Sequence, residues 1–178
     1  KAQFVTRVRQ TYGVFGDRFL ALYPHANDVE AAESHRQLAR DRYMAGAALW
    51  AEQRSSATRQ PVYLYFYSHP YPASDKGEFG AFHTSDIPYV FGTLGLGSRL
   101  FGETDRAVAR TMQAHWTSFF KSGDPNVNGS REWKPVAEGG SVLMGLSATP
   151  GLRHAVSSVQ RWQLFREYVA SGGTLSLF

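Results

Sequence analysis

The sequence predicts an α/β fold in which one strand, buried on both faces, is flanked by helices. Three observations predict it. In the run Pro61 to His69 (PVYLYFYSH), Val62, Leu64 and Phe66 alternate with Tyr63, Tyr65 and Tyr67. Both faces are apolar or aromatic, the pattern of a central strand covered on both sides. The segments 105–121 and 154–170 carry apolar residues at helical spacing. Finally, the glycine-bounded segment GAFHTSDIPYVFG, Gly80 to Gly92, follows the strand and delivers a histidine, His83. Enzymes with α/β folds place a catalytic base on such a loop beyond a strand's end.

Phe4, Val8 and Tyr12 lie four apart on one helical face, and Gly13 is the expected stop. A second short helix over 16–22 carries Phe19, Leu20 and Leu22 and ends before Pro24. A longer helical stretch begins at Asn27 or Asp28, with Asp28 and Glu30 suited to the positive end of its dipole. A break is expected near Asp41, which would cap a further helix with Tyr43, Ala47 and Trp50 as its apolar stripe. QRSSATRQ, Gln53 to Gln60, reads as a polar loop before the strand, and Asp75 to Gly77 as a loop after it. Gly92 to Gly102 holds four glycines and no periodicity, which predicts a mobile surface loop. Thr104 is placed as N-cap of the 105–121 helix, with Val108, Met112, His115 and Phe119 facing inward and GDPNVNG, Gly123 to Gly129, stopping it. Val142 to Leu146 is a short strand. The last helix turns Val159, Trp162, Phe165 and Val169 inward, and Ser171 to Phe178 is expected to fray.

This inventory has helices enough but too few strands for a two-faced sheet. The rest of the sheet is therefore expected in a preceding segment, and residues 1–178 are expected not to fold alone. The opening Lys-Ala-Gln-Phe lies inside a helical pattern without Met, so the natural N-terminus, and any secretory or periplasmic targeting signal with it, is expected upstream.

Composition is that of a globular chain: 178 residues, 43% hydrophobic, 14% aromatic and 19% charged. No stretch approaches the ~20 apolar residues of a membrane span. The net charge of +4 is spread among acids along the helices, as in Arg36, Arg40, Asp41, Arg42 and Glu103, Asp105, Arg106, Arg110. No Lys/Arg run tracks a phosphate backbone, which disfavours nucleic acid as a partner. The chain has no cysteine, so disulfides, thiolate nucleophiles and Cys-based metal sites are excluded and the redox compartment stays open.

His83 reads either as a general base, a neutral imidazole that takes a proton and later returns it, or as a loop histidine in an ordinary hydrogen bond. The others, His25, His35, His69, His115 and His154, show no metal-ligand spacing. His115 sits on a helix's apolar stripe and reads as a satisfied core residue. His69 ends the strand, and a two-histidine site with Asp75 or Asp86 is a further reading. No G-x-S-x-G nucleophile motif occurs. In an α/β hydrolase the triad runs serine, acid, histidine in chain order, so a late portion of such a chain would hold the histidine alone.

Four segments in order resemble a known family. They are QPVYLYFYSHP; GAFHTSDIPYVFG; the helix end HWTSFFKSGDPN, similar to a W-x-x-F-A-x-x-G-x-P-N signature; and REWKPV, before a short strand and a final helix. Together they resemble the C-terminal third of the type-B carboxylesterases, the cholinesterase-like branch of the α/β hydrolases. The resemblance implies one portion of a mostly parallel sheet flanked by helices, spanning 1–178. It also implies serine ester hydrolysis with no metal or organic cofactor, on a small-molecule ester, the nucleophile and triad acid lying in the N-terminal part of the same protein. His83 aligns with the catalytic histidine. Asp86 falls where the family carries a supporting Glu, and it also reads as a cap for the turn Ile87-Pro88-Tyr89. Phe120 replaces an Ala, and Lys134-Pro135 replaces a direct Trp-Pro. Asp17, Asp28 and Glu30 are not assigned as triad acid. Phe82 and Thr84 flank His83 and are expected to line the pocket, as is the loop 93–102, whereas the strand tyrosines read as core. Cholinesterase-like folds also serve as binding and adhesion modules from which the serine is lost, and this is the alternative function.

Overall fold

The computed structural model describes residues 1–72, 80–130, 132–136 and 140–175. These residues form two compact units, 1–60 with 154–178, and 61–153.

In the first unit, α1 (Ala2–Tyr12) buries Phe4, Val8 and Tyr12, the expected face, and Gly13 ends it at φ 53°. A 3-10 turn, Gly13–Phe15, leads into α2 (Gly16–Leu22). Gly16 is needed there, since a Cβ would stand 2.8 Å from the Cα of Arg9. Tyr12 stacks on Phe19 at 3.9 Å, and Phe19 meets Phe165 edge-on at 5.0 Å. Each such buried ring contributes about 1.5–3 kcal/mol.

The expected break at Asp41 does not occur. A single helix, α3 (Asp28–Thr58), runs for 31 residues through it and takes up all but the last two residues of the segment expected to be a polar loop. Asn27 caps it, its side chain accepting from the Glu30 amide at 2.9 Å. The buried face is Ala31, Ser34, Leu38, Asp41, Ala45, Ala48, Ala51 and Ser55, spaced by threes and fours. Tyr43 and Trp50, the expected stripe, are 53% and 54% exposed. Small residues line the covered side, so the large aromatic side chains fall on the other.

Asp41 is 1% exposed and accepts four hydrogen bonds instead of capping a helix. Its donors are Tyr23 Oη (2.8 Å), Gln37 Nε2 (2.9 Å), the Ser157 amide (3.0 Å) and Ser157 Oγ (2.5 Å). Arg161 Nη1 stands 3.6 Å away, and its guanidinium covers the Tyr23 ring at 4.0 Å. Burial, and then the adjoining Asp41 carboxylate, pushes the Tyr23 hydroxyl far above its ordinary range. The last helix, α6 (Val159–Ala170), starts five residues later than expected, capped by Ser158. It buries Trp162, Leu164 and Phe165, while Val159 is 54% exposed, being in the first turn outside the covered stripe.

In the second unit, β1 (Tyr65–Tyr67) pairs parallel with β2 (Val142–Leu146), Phe66 opposite Gly145. A strand not anticipated from sequence, β3 (Gly151–His154), completes the order β1-β2-β3. Among the described residues β1 is thus an edge and β2 the central strand, with β1 half-buried and Leu143 to Leu146 buried. The long apolar run of β1 marked it as central, but strands pair with it here on one side only. Arg153 lays its guanidinium over the Phe66 ring at 4.5 Å.

Two helices cover the sheet's core: α4 (Ile87–Val90) and α5 (Glu103–Ser122). Gly102, not Thr104, occupies the N-cap of α5, and its amide donates to Asp105 Oδ2 at 2.7 Å. Val108, Met112 and His115 face inward as expected, but Phe119 is 42% exposed in the last turn. His115 is a satisfied core residue, its Nδ1 2.8 Å from the Pro125 carbonyl. Gly123, at φ 75°, stops the helix. The turn beyond is clasped by one amide. Asn126 Oδ1 accepts from the Trp133 amide at 2.6 Å, while Nδ2 donates to the Trp133 carbonyl (3.0 Å) and Asp124 Oδ1 (2.7 Å). Trp133 then donates its indole N–H to the Leu64 carbonyl at 3.1 Å. Tyr89, Val108, Met112, Trp133, Met144 and Leu146 pack as this unit's core.

Candidate active site

The segment around His83 is built as a tight turn leading into α4. The Ser85 amide donates to the Phe82 carbonyl at 3.0 Å, and the Ile87 amide to the Thr84 carbonyl at 3.1 Å. His83 stands at the exposed apex of this turn, with Phe82 and Thr84 exposed beside it. Among the described residues no side chain pairs with its imidazole. Both ring nitrogens are therefore open to groups brought from elsewhere. Phe82 is 49% exposed, its ring edge-on to Tyr71 at 5.3 Å. Ser85, by contrast, is buried.

Thr84 has φ +72°. A β-branched residue in the left-handed region is strained by ~1–3 kcal/mol. Glycine adopts that conformation freely but loses more chain entropy on folding. Thr84→Gly is accordingly expected to stabilise the folded protein by about 1 kcal/mol, read as a raised melting temperature. A lowered melting temperature would show that the threonine side chain makes up for its backbone.

Asp86 does not cap α4: it stands at the N-cap position without a side-chain bond to the helix. Its Oδ2 accepts instead from Tyr65 Oη on β1 at 3.1 Å. Burial, then the Asp86 carboxylate, pushes the Tyr65 hydroxyl up to about 12, so it remains a donor across the physiological range. Tyr65 is thus not simply core; it ties the strand to the residue three beyond His83.

His69 belongs to a different cluster, and its carboxylate is Asp105 rather than Asp86; Asp75 lies outside the described residues. Its Nε2 is 2.8 Å from Asp105 Oδ1, which also accepts from Tyr89 Oη at 2.7 Å. Burial pushes Asp105 up, but the bonds from Tyr89, His69 and the Gly102 amide outweigh it and hold the carboxyl below its usual range. The cluster ties the end of β1 to the start of α5. Its members lie 36 residues apart, and the one local signal was an acid in the first turn of a helix. No group of three or more His, Asp or Glu that would hold a metal occurs among the described residues. No helix is long and apolar enough to cross a membrane among those residues.

The profile of the carboxylesterase family matches residues 8–161. The chain belongs to the carboxylesterase family. Within it, human bile salt-activated lipase is 35% identical over 106 residues, 57% of this chain and 14% of the lipase. Human Neuroligin-2 is 34% identical over 89 residues, 47% of this chain and 10% of that protein. A solved structure of PNB esterase superposes with a TM-score of 0.61 at 21% identity, covering 90% of this chain and 32% of the esterase. The carboxylesterase chain described here therefore spans under a third of these relatives, and it carries part of an α/β-hydrolase fold.

Proposed function

We propose that the protein hydrolyses small-molecule carboxylic esters through an acyl-enzyme, with His83 as general base and acid. The observation that carries this reading is an exposed imidazole, unpaired among the described residues, at the apex of a closed turn in a chain of the carboxylesterase family. A serine outside residues 1–178, in the N-terminal part of the same protein, is the nucleophile. His83 takes its proton as the oxygen attacks the ester carbonyl. Backbone amides there hold the oxyanion, each donor contributing ~3 kcal/mol. A carboxylate, also outside this chain, orients the imidazole. His83 then protonates the departing alcohol, and water repeats the cycle. The chemistry requires neither metal nor organic cofactor. Asp86, bonded to Tyr65, supports the turn without touching the reacting atoms, and Phe82 and Thr84 line the pocket beside the ester.

The likeness to Neuroligin-2, whose name describes no esterase, favours one second reading: a binding module that keeps the scaffold without the serine. One experiment separates the two. The full-length protein is treated with a fluorophosphonate and assayed on p-nitrophenyl butyrate. Labelling at one equivalent with ester turnover is the expected result. A folded protein that neither labels nor turns over ester would establish the second reading.

A further inference from the structure

We propose that Ser85 is a positioning residue for His83, its buried hydroxyl fixing where the imidazole stands. The inference rests on the reading of His83 as general base. Ser85 is 2% exposed, although the three residues before it are exposed. Its Oγ donates to the Phe82 carbonyl at 2.7 Å and accepts from the Phe82 amide at 3.1 Å. Its own amide donates to the same carbonyl at 3.0 Å. Closing the turn needs only the last of these bonds. The hydroxyl adds a second donor to that carbonyl and captures the Phe82 amide, so both polar groups of the residue before His83 are held by one side chain.

On the other side of the histidine, the Thr84 carbonyl is fixed by the Ile87 amide at 3.1 Å, with Thr84 at φ +72°. The backbone of His83 is thus clamped fore and aft, leaving χ1 and χ2 as its soft torsions. A general base must stand within hydrogen-bond reach of the nucleophile, and a displacement of ~1 Å costs about 100-fold in rate. The same bonds answer a question about Ser85 itself. It lies two residues from His83, yet its oxygen is buried and committed on both sides, which keeps it out of the nucleophile's role.

The test uses the full-length protein with Ser85→Ala, Ser85→Cys and His83→Ala, titrated with diethyl p-nitrophenyl phosphate. The nucleophile's oxygen forms a bond to phosphorus, nitrophenolate leaves, and the base takes the serine proton, so amplitude counts intact sites and rate reports the base. Ser85→Ala is expected to titrate a full equivalent while the rate falls about 10- to 100-fold, with KM for p-nitrophenyl butyrate unchanged within twofold. Ser85→Cys, whose thiol bonds weakly, is expected to fall in between. A reduced amplitude at wild-type rate would mean that Ser85 only holds the fold, and this overturns the proposal, as does a wild-type rate at full amplitude. Should Ser85→Ala not fold, the same criteria apply to Ser85→Cys. His83→Ala tells the two readings apart. A wild-type rate there, or no titratable site in the wild type, overturns the assignment of His83 and the proposal with it. A slow His83→Ala beside an unaltered Ser85→Ala overturns the proposal alone.

Discussion

Replacing His83 by alanine is expected to lower kcat for ester hydrolysis by roughly four to six orders of magnitude in the full-length protein. A 10⁴-fold loss corresponds to about 5.4 kcal/mol of transition-state stabilisation. The effect is large because the imidazole acts twice, taking the serine proton and then protonating the alcohol. Stability is expected to stay within about 0.5 kcal/mol, since the side chain is exposed and pairs with nothing among the described residues. The pair of measurements is what gives the variant its meaning: a melting curve that superposes on wild type beside an ester assay near background. Turnover within tenfold of wild type would remove His83 from the mechanism.

The second large effect is on stability, and it concerns a residue remote in sequence from that turn. Asp41→Ala is expected to destabilise the protein by about 3–5 kcal/mol. The substitution strips the acceptor from Tyr23 Oη, Gln37 Nε2 and both donors of Ser157. Arg161, with a side chain 17% exposed, loses its counter-charge at 3.6 Å. It keeps two bonds to the Leu22 carbonyl, from Nε at 3.1 Å and Nη2 at 2.6 Å, so it stays in place as an uncompensated cation. Leaving one partner of a buried pair behind costs more than removing both. The double variant Asp41→Ala/Arg161→Met is therefore expected to recover part of the loss. Urea-unfolding midpoints of the two proteins measure this, and a single-variant loss under about 1 kcal/mol would refute the account.

Asp41 also shows where the sequence stopped being legible. An acid midway along a helical stretch reads as a cap, because the usual place for a short acidic side chain is a helix's first turn. What reverses that reading is Ser157 and Arg161, more than a hundred residues away. The same holds for α3's covered side. Alanine and serine carry little hydrophobic weight, so the eye goes to Tyr43 and Trp50, which the structure exposes. For His69 the letters offer no more than a site shared with His83 and Asp75 or Asp86, whereas its partner Asp105 arrives on the next long helix. Local signals fared better. Gly13 and Gly123, each at positive φ, ended their helices as read, and the strand at Val142 to Leu146 kept its bounds. The turn carrying His83 was legible because its glycines and its short i to i+3 bonds are properties of adjacent residues. Ser85 was not legible, since nothing in a letter string distinguishes a serine that braces a turn from one that is merely polar.

The clasp beyond α5 has a consequence for which amino acid position 126 admits. Asparagine and aspartate have the same shape and differ at one terminal atom. Each terminal atom of Asn126 has an assigned sense: the oxygen meets an N–H of Trp133, while the nitrogen faces two acceptors, the Trp133 carbonyl and Asp124 Oδ1. An aspartate of identical volume presents an acceptor to both. Steric fit alone leaves the two indistinguishable; the turn discriminates between isosteres by counting protons.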